Sequence, residues 1–231
     1  MIIRAIQFTL LNHLFYYTEV SGGATSASIT GAFIGDLALN YAFKRALIKS
    51  DDAYPFRQKP EYEEIKNFGY YSTVARPLNI EHLTRTESYI RSTSFNSDGY
   101  SALGSSLPYY NAAAKSPFKT FRQVQGIALG SKFISLFLSE NSIELPETIR
   151  VGTTKETLLK VEELVLSKCE NDFWLNAFTL KTVFENLEQT VNILAREGKV
   201  NFSYILENYA LIKNLSFQNI EEIFQNSFSN G

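Results

Sequence analysis

The chain has 231 residues, 45% of them hydrophobic and 14% aromatic, with 22 Lys and Arg against 24 Asp and Glu for a formal net charge of −2. That length can bury a substantial core, while the near-neutral balance excludes a protein that coats nucleic acid through bulk positive charge. The single cysteine, Cys169, excludes an internal disulfide framework and fits a reducing cytoplasm.

Ile2 to Leu10 alternates, with Ile6, Phe8 and Leu10 on one side and Gln7 and Thr9 on the other, which predicts a half-buried strand and not a signal peptide. A second strand is expected over Leu14 to Thr18. Ser21 to Thr30 is a Gly, Ser and Thr loop without the spacing or the lysine of a P-loop. Gly31 to Lys49 reads as an amphipathic helix. Lys44 and Arg45 near its C-terminal end either answer the helix dipole or contact phosphate. Asp51 to Lys66 is a polar connector, followed by strand-like segments around Gly69–Ala75 and Ser88–Phe95.

From Phe95 to Pro117 runs a long irregular segment containing Tyr100, Tyr109 and Tyr110. Segments of this length are usually functional or disordered. The stretch Lys115 to Ser139 brings Lys115, Lys119 and Arg122 among phenylalanines, then Gly126 and Gly130 about a short turn, then a buried strand from Phe133 to Leu138. Cations and aromatics delivered onto a sheet suit a phosphate backbone and stacked bases; the alternative is a surface hairpin with solvated lysines. Ile143 to Val151 is a further strand candidate. Thr153-x-x-Glu156 has the spacing of a capping box, predicting a helix to about Cys169. With Arg150, Gly152 and Lys155 around it, that helix start would also receive an anion. Helices are expected over 178–196, 202–213 and 216–228.

The charge is uneven. Residues 76–155 carry nine basic and six acidic side chains, net +3, whereas residues 156–231 carry six and eleven, net −5. A mildly basic middle beside an acidic tail suits a subunit that touches nucleic acid locally and proteins elsewhere. Two histidines, His13 and His82, and one cysteine cannot assemble the usual zinc site. No P-loop, H-E-x-x-H or G-x-S-x-G pattern occurs, so neither cofactor nor metal is expected. No apolar run approaches the roughly 20 residues of a membrane helix. The element order is compatible with an α+β, ferredoxin-like core carrying a long insertion and a helical C-terminal extension.

The opening MIIRAIQFTLLNHLFYYTE, the helix segment LALNYAF (Leu37 to Phe43), GIALGSKFISLFLS and the turn IRVG (Ile149 to Gly152) occur in that order. Together they resemble the Cas-five subunit of the type I-D CRISPR effector complex, a Cascade assembly of the RAMP superfamily. The likeness covers residues 1–155. A histidine often found just before the LALNYA-like motif is replaced here by Gly35-Asp36.

The resemblance implies an RRM-type core over residues 1–171 with a thumb-like insertion at about 95–117, and a helical C-terminal extension over 172–231 packed on it. It implies a non-catalytic subunit that holds the 5′ handle of the crRNA and caps a filament of Cas-seven-type backbone subunits. It also implies contact with a Cas-ten-like large subunit and target DNA near the protospacer-adjacent motif. Lys115, Lys119 and Arg122 would hold phosphates and Tyr109 and Tyr110 would stack. Arg150, Gly152 and Lys155 would receive a handle phosphate. Two other readings stay open: a metal-independent ferredoxin-like endoribonuclease acting on repeat RNA through His13 or His82, and a protein-interaction adaptor working through the helical tail.

Overall fold

The computed structural model describes residues 1–15, 17–20, 28–48, 61–91, 118–151, 157–165, 172–184, 203–206 and 209–225. A central antiparallel sheet has the order β4-β8-β1-β10-β9, with β5 also paired to β8. Its strands are β1 (Ile2–Leu10), β4 (Tyr70–Ser72), β5 (Arg76–Asn79), β8 (Lys132–Ser139), β9 (Thr148–Val151) and β10 (Thr157–Leu164). Strand β8 is a near-continuous apolar run because both of its faces are covered. Phe133 and Phe137 enter one apolar cluster; Ile134, Leu136 and Leu138 enter another on the opposite face.

The first face carries helix α1 (Asp36–Leu47), whose Leu39, Ala42 and Phe43 pack with Ile6, Phe8, Leu10, Phe133 and Phe137. Phe43 meets Phe137 edge-on at 5.0 Å, and Tyr70 stacks on Phe137 at 5.3 Å. The opposite face meets a C-terminal layer. This layer comprises β11 (Phe173–Asn176), β12 (Ser203–Leu206) and β13 (Tyr209–Leu215), with helices α2 (Ala177–Thr182) and α3 (Phe217–Gln225). Its strands form an antiparallel sheet in the order β11-β13-β12. Phe173, Leu175, Leu180, Ile212, Ile220 and Phe224 bury against Ala5, Tyr71, Ile134, Leu136 and Leu138.

A further sheet, in the order β2-β3-β7-β6, is built from β2 (Tyr17–Val20), β3 (Ser28–Thr30), β6 (His82–Arg91) and β7 (Phe118–Ile127). Strands β6 and β7 pair without a register shift from Arg91↔Phe118 to His82↔Ile127. Their seam with the central sheet is short and specific. The Leu14 N–H donates to the Ile127 carbonyl at 2.9 Å, the return bond is 2.9 Å, and the Gly130 N–H donates to the Leu10 carbonyl at 2.8 Å. Gly130 turns the chain from β7 into β8 at φ +82°, a conformation that favours glycine.

Several expectations need correction. The helix expected from Thr153 to Cys169 is strand β10 between Thr157 and Leu164, paired with β1 on one side and β9 on the other. The Glu, Lys and Leu content of this stretch favours a helix locally, but two neighbouring strands satisfy its backbone and bury Leu159. The helix expected over 202–213 is instead the β12–β13 pair, consistent with its Tyr and Ile content. Among the described residues the C-terminal extension therefore holds three strands beside two short helices, where helices alone were expected. Of the helix expected over 178–196, Ala177–Thr182 is helical, and residues 185–200 lie outside the described residues. The third expected helix is α3, and it has its own cap: Ser216 Oγ accepts from the Asn219 N–H at 3.1 Å while Asn219 Oδ1 accepts from the Ser216 N–H at 3.2 Å. The architecture is mixed α/β and mostly antiparallel. Among the described residues one helix covers the first face, where a ferredoxin-like fold places two.

Candidate nucleic-acid interface

The expected RNA-binding residues fall into separate places. Arg150 is exposed on β9 opposite Leu158, on the face of the central sheet away from α1, because its neighbours Ile149 and Val151 bury toward the helix. Lys44 and Arg45 end α1 on the first face. Lys44 Nζ lies 4.9 Å above the Phe68 ring, so this cation is engaged within the molecule. The structure does not bring Arg150 together with Lys44 and Arg45. Lys119 and Arg122 occupy register positions in β7 opposite Ile90 and Glu87. Lys115, Tyr109, Tyr110, Gly152, Lys155 and the expected thumb at 95–117 lie outside the described residues. Strands β6 and β7 bracket that thumb segment in sequence and pair along their whole length, so its two described flanks form an antiparallel stem.

Of the two histidines, His13 is exposed and its Nδ1 accepts the Leu129 N–H at 3.1 Å; His82 opens β6 and is exposed. His13 thus holds the Ala128–Ser131 turn beside the end of β1. No helix among the described residues is long and apolar enough to cross a membrane.

Sequence reasoning missed a buried polar hub that ties the start of α1 to β4 and to the C-terminal layer. Asp36 is fully buried at the first position of α1. Its carboxylate accepts from Tyr71 Oη at 2.8 Å, Thr179 Oγ1 at 2.6 Å and Asn176 Nδ2 at 3.1 Å. Burial, then the charge of Asp36 and its hydrogen bond, push the Tyr71 hydroxyl well above the ordinary tyrosine range. One turn on, the Asn40 amide acts as a strand would for the edge of β4. Its Oδ1 accepts the Ser72 N–H at 2.8 Å, and its Nδ2 donates to the Ser72 carbonyl at 3.0 Å. Gly35-Asp36, a departure from the motif at the sequence level, is in three dimensions the anchor of the helix. The only sequence signal was an acidic residue in a helical first turn, which the dipole alone explains.

A family model for type I-D CRISPR-associated protein Cas5/Csc1 matches residues 1–226, and the chain belongs to that family. It is thus a Cas5-type member of a CRISPR effector complex. No curated protein matches the sequence significantly. Among solved structures, the chain has low similarity to a component of the Type III-B Cmr-beta bound to cognate target RNA and AMPPnP, state 1. The identity is 8%, the TM-score 0.42, and the match covers 98% of this chain and 90% of that one. For Type III-B Cmr-beta bound to cognate target RNA the values are 9%, 0.43, 96% and 89%. Both are cryo-EM structures.

Proposed function

We propose that this chain is a non-catalytic RNA-binding subunit of its effector complex, holding the 5′ handle of the crRNA through a ferredoxin-like core. In this reading residues 1–171 hold RNA, cap the Cas-seven-type backbone filament and meet the Cas-ten-like large subunit near the protospacer-adjacent motif in target DNA. Residues 172–231 brace that core, and the whole works in the cytoplasm. Family membership supports the assignment, and one structural observation carries the RNA contact. The β6–β7 pair is an unbroken antiparallel stem, holds Lys119 and Arg122, and leads into the stretch containing Tyr109, Tyr110 and Lys115. A stem tied to the sheet at Leu14 and Ile127 can hold such residues across a guide strand. Arg150, Gly152 and Lys155, together with Lys44 and Arg45, complete the set of phosphate contacts.

The test is the Lys115→Ala, Lys119→Ala, Arg122→Ala variant, co-expressed with its neighbouring subunits and purified by a tag on this chain. Loss of the small RNA with the fold intact is the expected result. Full retention would remove the stem from the RNA-holding role. Cleavage of repeat RNA by the purified chain in EDTA, abolished by changing His13 or His82, would overturn the non-catalytic assignment.

A further inference from the structure

The C-terminal layer covers only part of the second sheet face, and strand register shows what the uncovered part presents. Leu136, Ala5 and Leu164 stand side by side on β8, β1 and β10 and pack into the C-terminal core. Ile134, Gln7 and Glu162 form the next row. Beyond them Lys132, Thr9, Lys160 and Thr148 form one row across β8, β1, β10 and β9. One row further, Leu158 faces Arg150, and the Leu11 N–H donates to the Leu158 carbonyl at 2.9 Å. Lys132, Lys160, Thr148, Arg150 and Leu11 are all exposed. Lys132 and Lys160 stand two strands apart, about 10 Å between backbones.

The chemistry of these rows is that of an anion-binding surface. They hold three cations and a single carboxylate, Glu162. That carboxylate is already engaged, accepting from Lys160 Nζ at 2.7 Å and from Gln7 Nε2 at 3.4 Å. The Lys160 hydrogen bond, with smaller contributions from the Gln7 hydrogen bond and the charge of Lys132, holds the Glu162 carboxyl below its ordinary range. The side chains of Lys132 and Arg150 form no ion pair among the described residues. Strands β8, β1 and β10 are interior, so their lysines do not serve to block edge pairing. At the strand ends Leu11 and Leu129 remain 47% and 58% exposed, and the Ala128–Ser131 turn that carries Leu129 is bonded to Leu10 and His13.

We infer that this uncovered half of the sheet binds a single strand of RNA, with phosphates on Lys132, Lys160 and Arg150 and bases against Leu11 and Leu129. Repeated cations at strand spacing, with an apolar rim beside them, match a polyanion whose bases are unpaired. The inference deepens the RNA-holding reading and rests on it. It extends the Arg150 contact of that reading across the sheet to Lys132 and Lys160, apart from the β6–β7 stem.

The test uses the assembled complex carrying Lys132→Gln and Lys160→Gln, with Lys66→Gln and Lys181→Gln as a control on exposed lysines elsewhere. RNA retention is measured against salt, and a photo-crosslinking residue replaces Thr148 in otherwise wild-type complex. Removing two phosphate contacts lowers the slope of log affinity against log salt by about 1.4, at about 0.7 per contact for single strands. The control leaves it unchanged, and the crosslinker labels RNA. If wild-type complex holds RNA but the double variant keeps the full slope, the sheet surface is not a contact and the RNA-holding reading stands. A crosslink to a protein subunit alone makes this face a protein interface and overturns the inference. Wild-type complex without RNA overturns both readings.

Discussion

At the scale of single residues, the most constrained group is the Asp36 carboxylate. It accepts three hydrogen bonds from three separate segments and is fully buried. Asp36→Ala leaves the donors of Tyr71, Asn176 and Thr179 without that acceptor inside the protein, a cost on the order of 3 kcal/mol. Chemical denaturation of the variant measures that loss. The same hub sets an alkaline limit. Tyr71 has a raised folded pKa, so its contribution is fully present below the ordinary tyrosine value. As pH rises past about 10 the unfolded chain ionises first, and stability falls until the folded value is reached. Denaturation midpoints between about pH 9 and about pH 11 should fall less steeply in Tyr71→Phe than in wild type. Equal slopes would remove this tyrosine from the titration. None of this could be read along the chain, because Asp36, Tyr71 and Thr179 meet only after the helix, sheet and C-terminal layer have packed.

At the scale of elements, the seam between the β6–β7 pair and the central sheet depends on a close approach. A Cβ built on Gly126 would lie 2.6 Å from Phe15 Cε1 and 2.7 Å from the Leu14 carbonyl oxygen. The second of these is backbone and cannot swing aside. Gly126→Ala therefore forces Leu14 away from Ile127, costing about 1–3 kcal/mol. Amide exchange should quicken first at Leu14 and Ile127, while the Phe133–Leu138 amides of β8 stay protected. Uniform protection would show that the seam absorbs the methyl group. Both glycines of this stretch stood out in the sequence as turn punctuation. Gly130 fills that role, whereas Gly126 sits inside β7 and serves a contact over a hundred residues away in sequence, which spacing cannot reveal.

At the scale of the whole molecule, the central sheet is apolar on both faces where α1 and the C-terminal layer cover it. Ending the chain before residue 172 would uncover Tyr71, Ile134, Leu136 and Leu138, an apolar patch large enough to drive association. Size-exclusion chromatography of residues 1–171 should show aggregates. A monodisperse, cooperatively melting fragment would mean the first 171 residues have a self-sufficient core.

The sequence alone determined the elements whose pattern is set by burial on one face or by covalent turn chemistry. Ile2–Leu10 alternates because β1 places Ile6, Phe8 and Leu10 under α1. LALNYAF is helical, Phe133–Leu138 is the doubly buried strand, and the ordered short motifs pointed to the Cas-five family. Tertiary structure decided what those patterns leave open. It made β10 and the β12–β13 pair strands, because hydrogen-bonding partners from distant parts of the chain outweigh local helix preference. It also set Lys132 and Lys160 in one row, since lateral neighbours in a sheet are fixed by register between strands and not by distance along the chain.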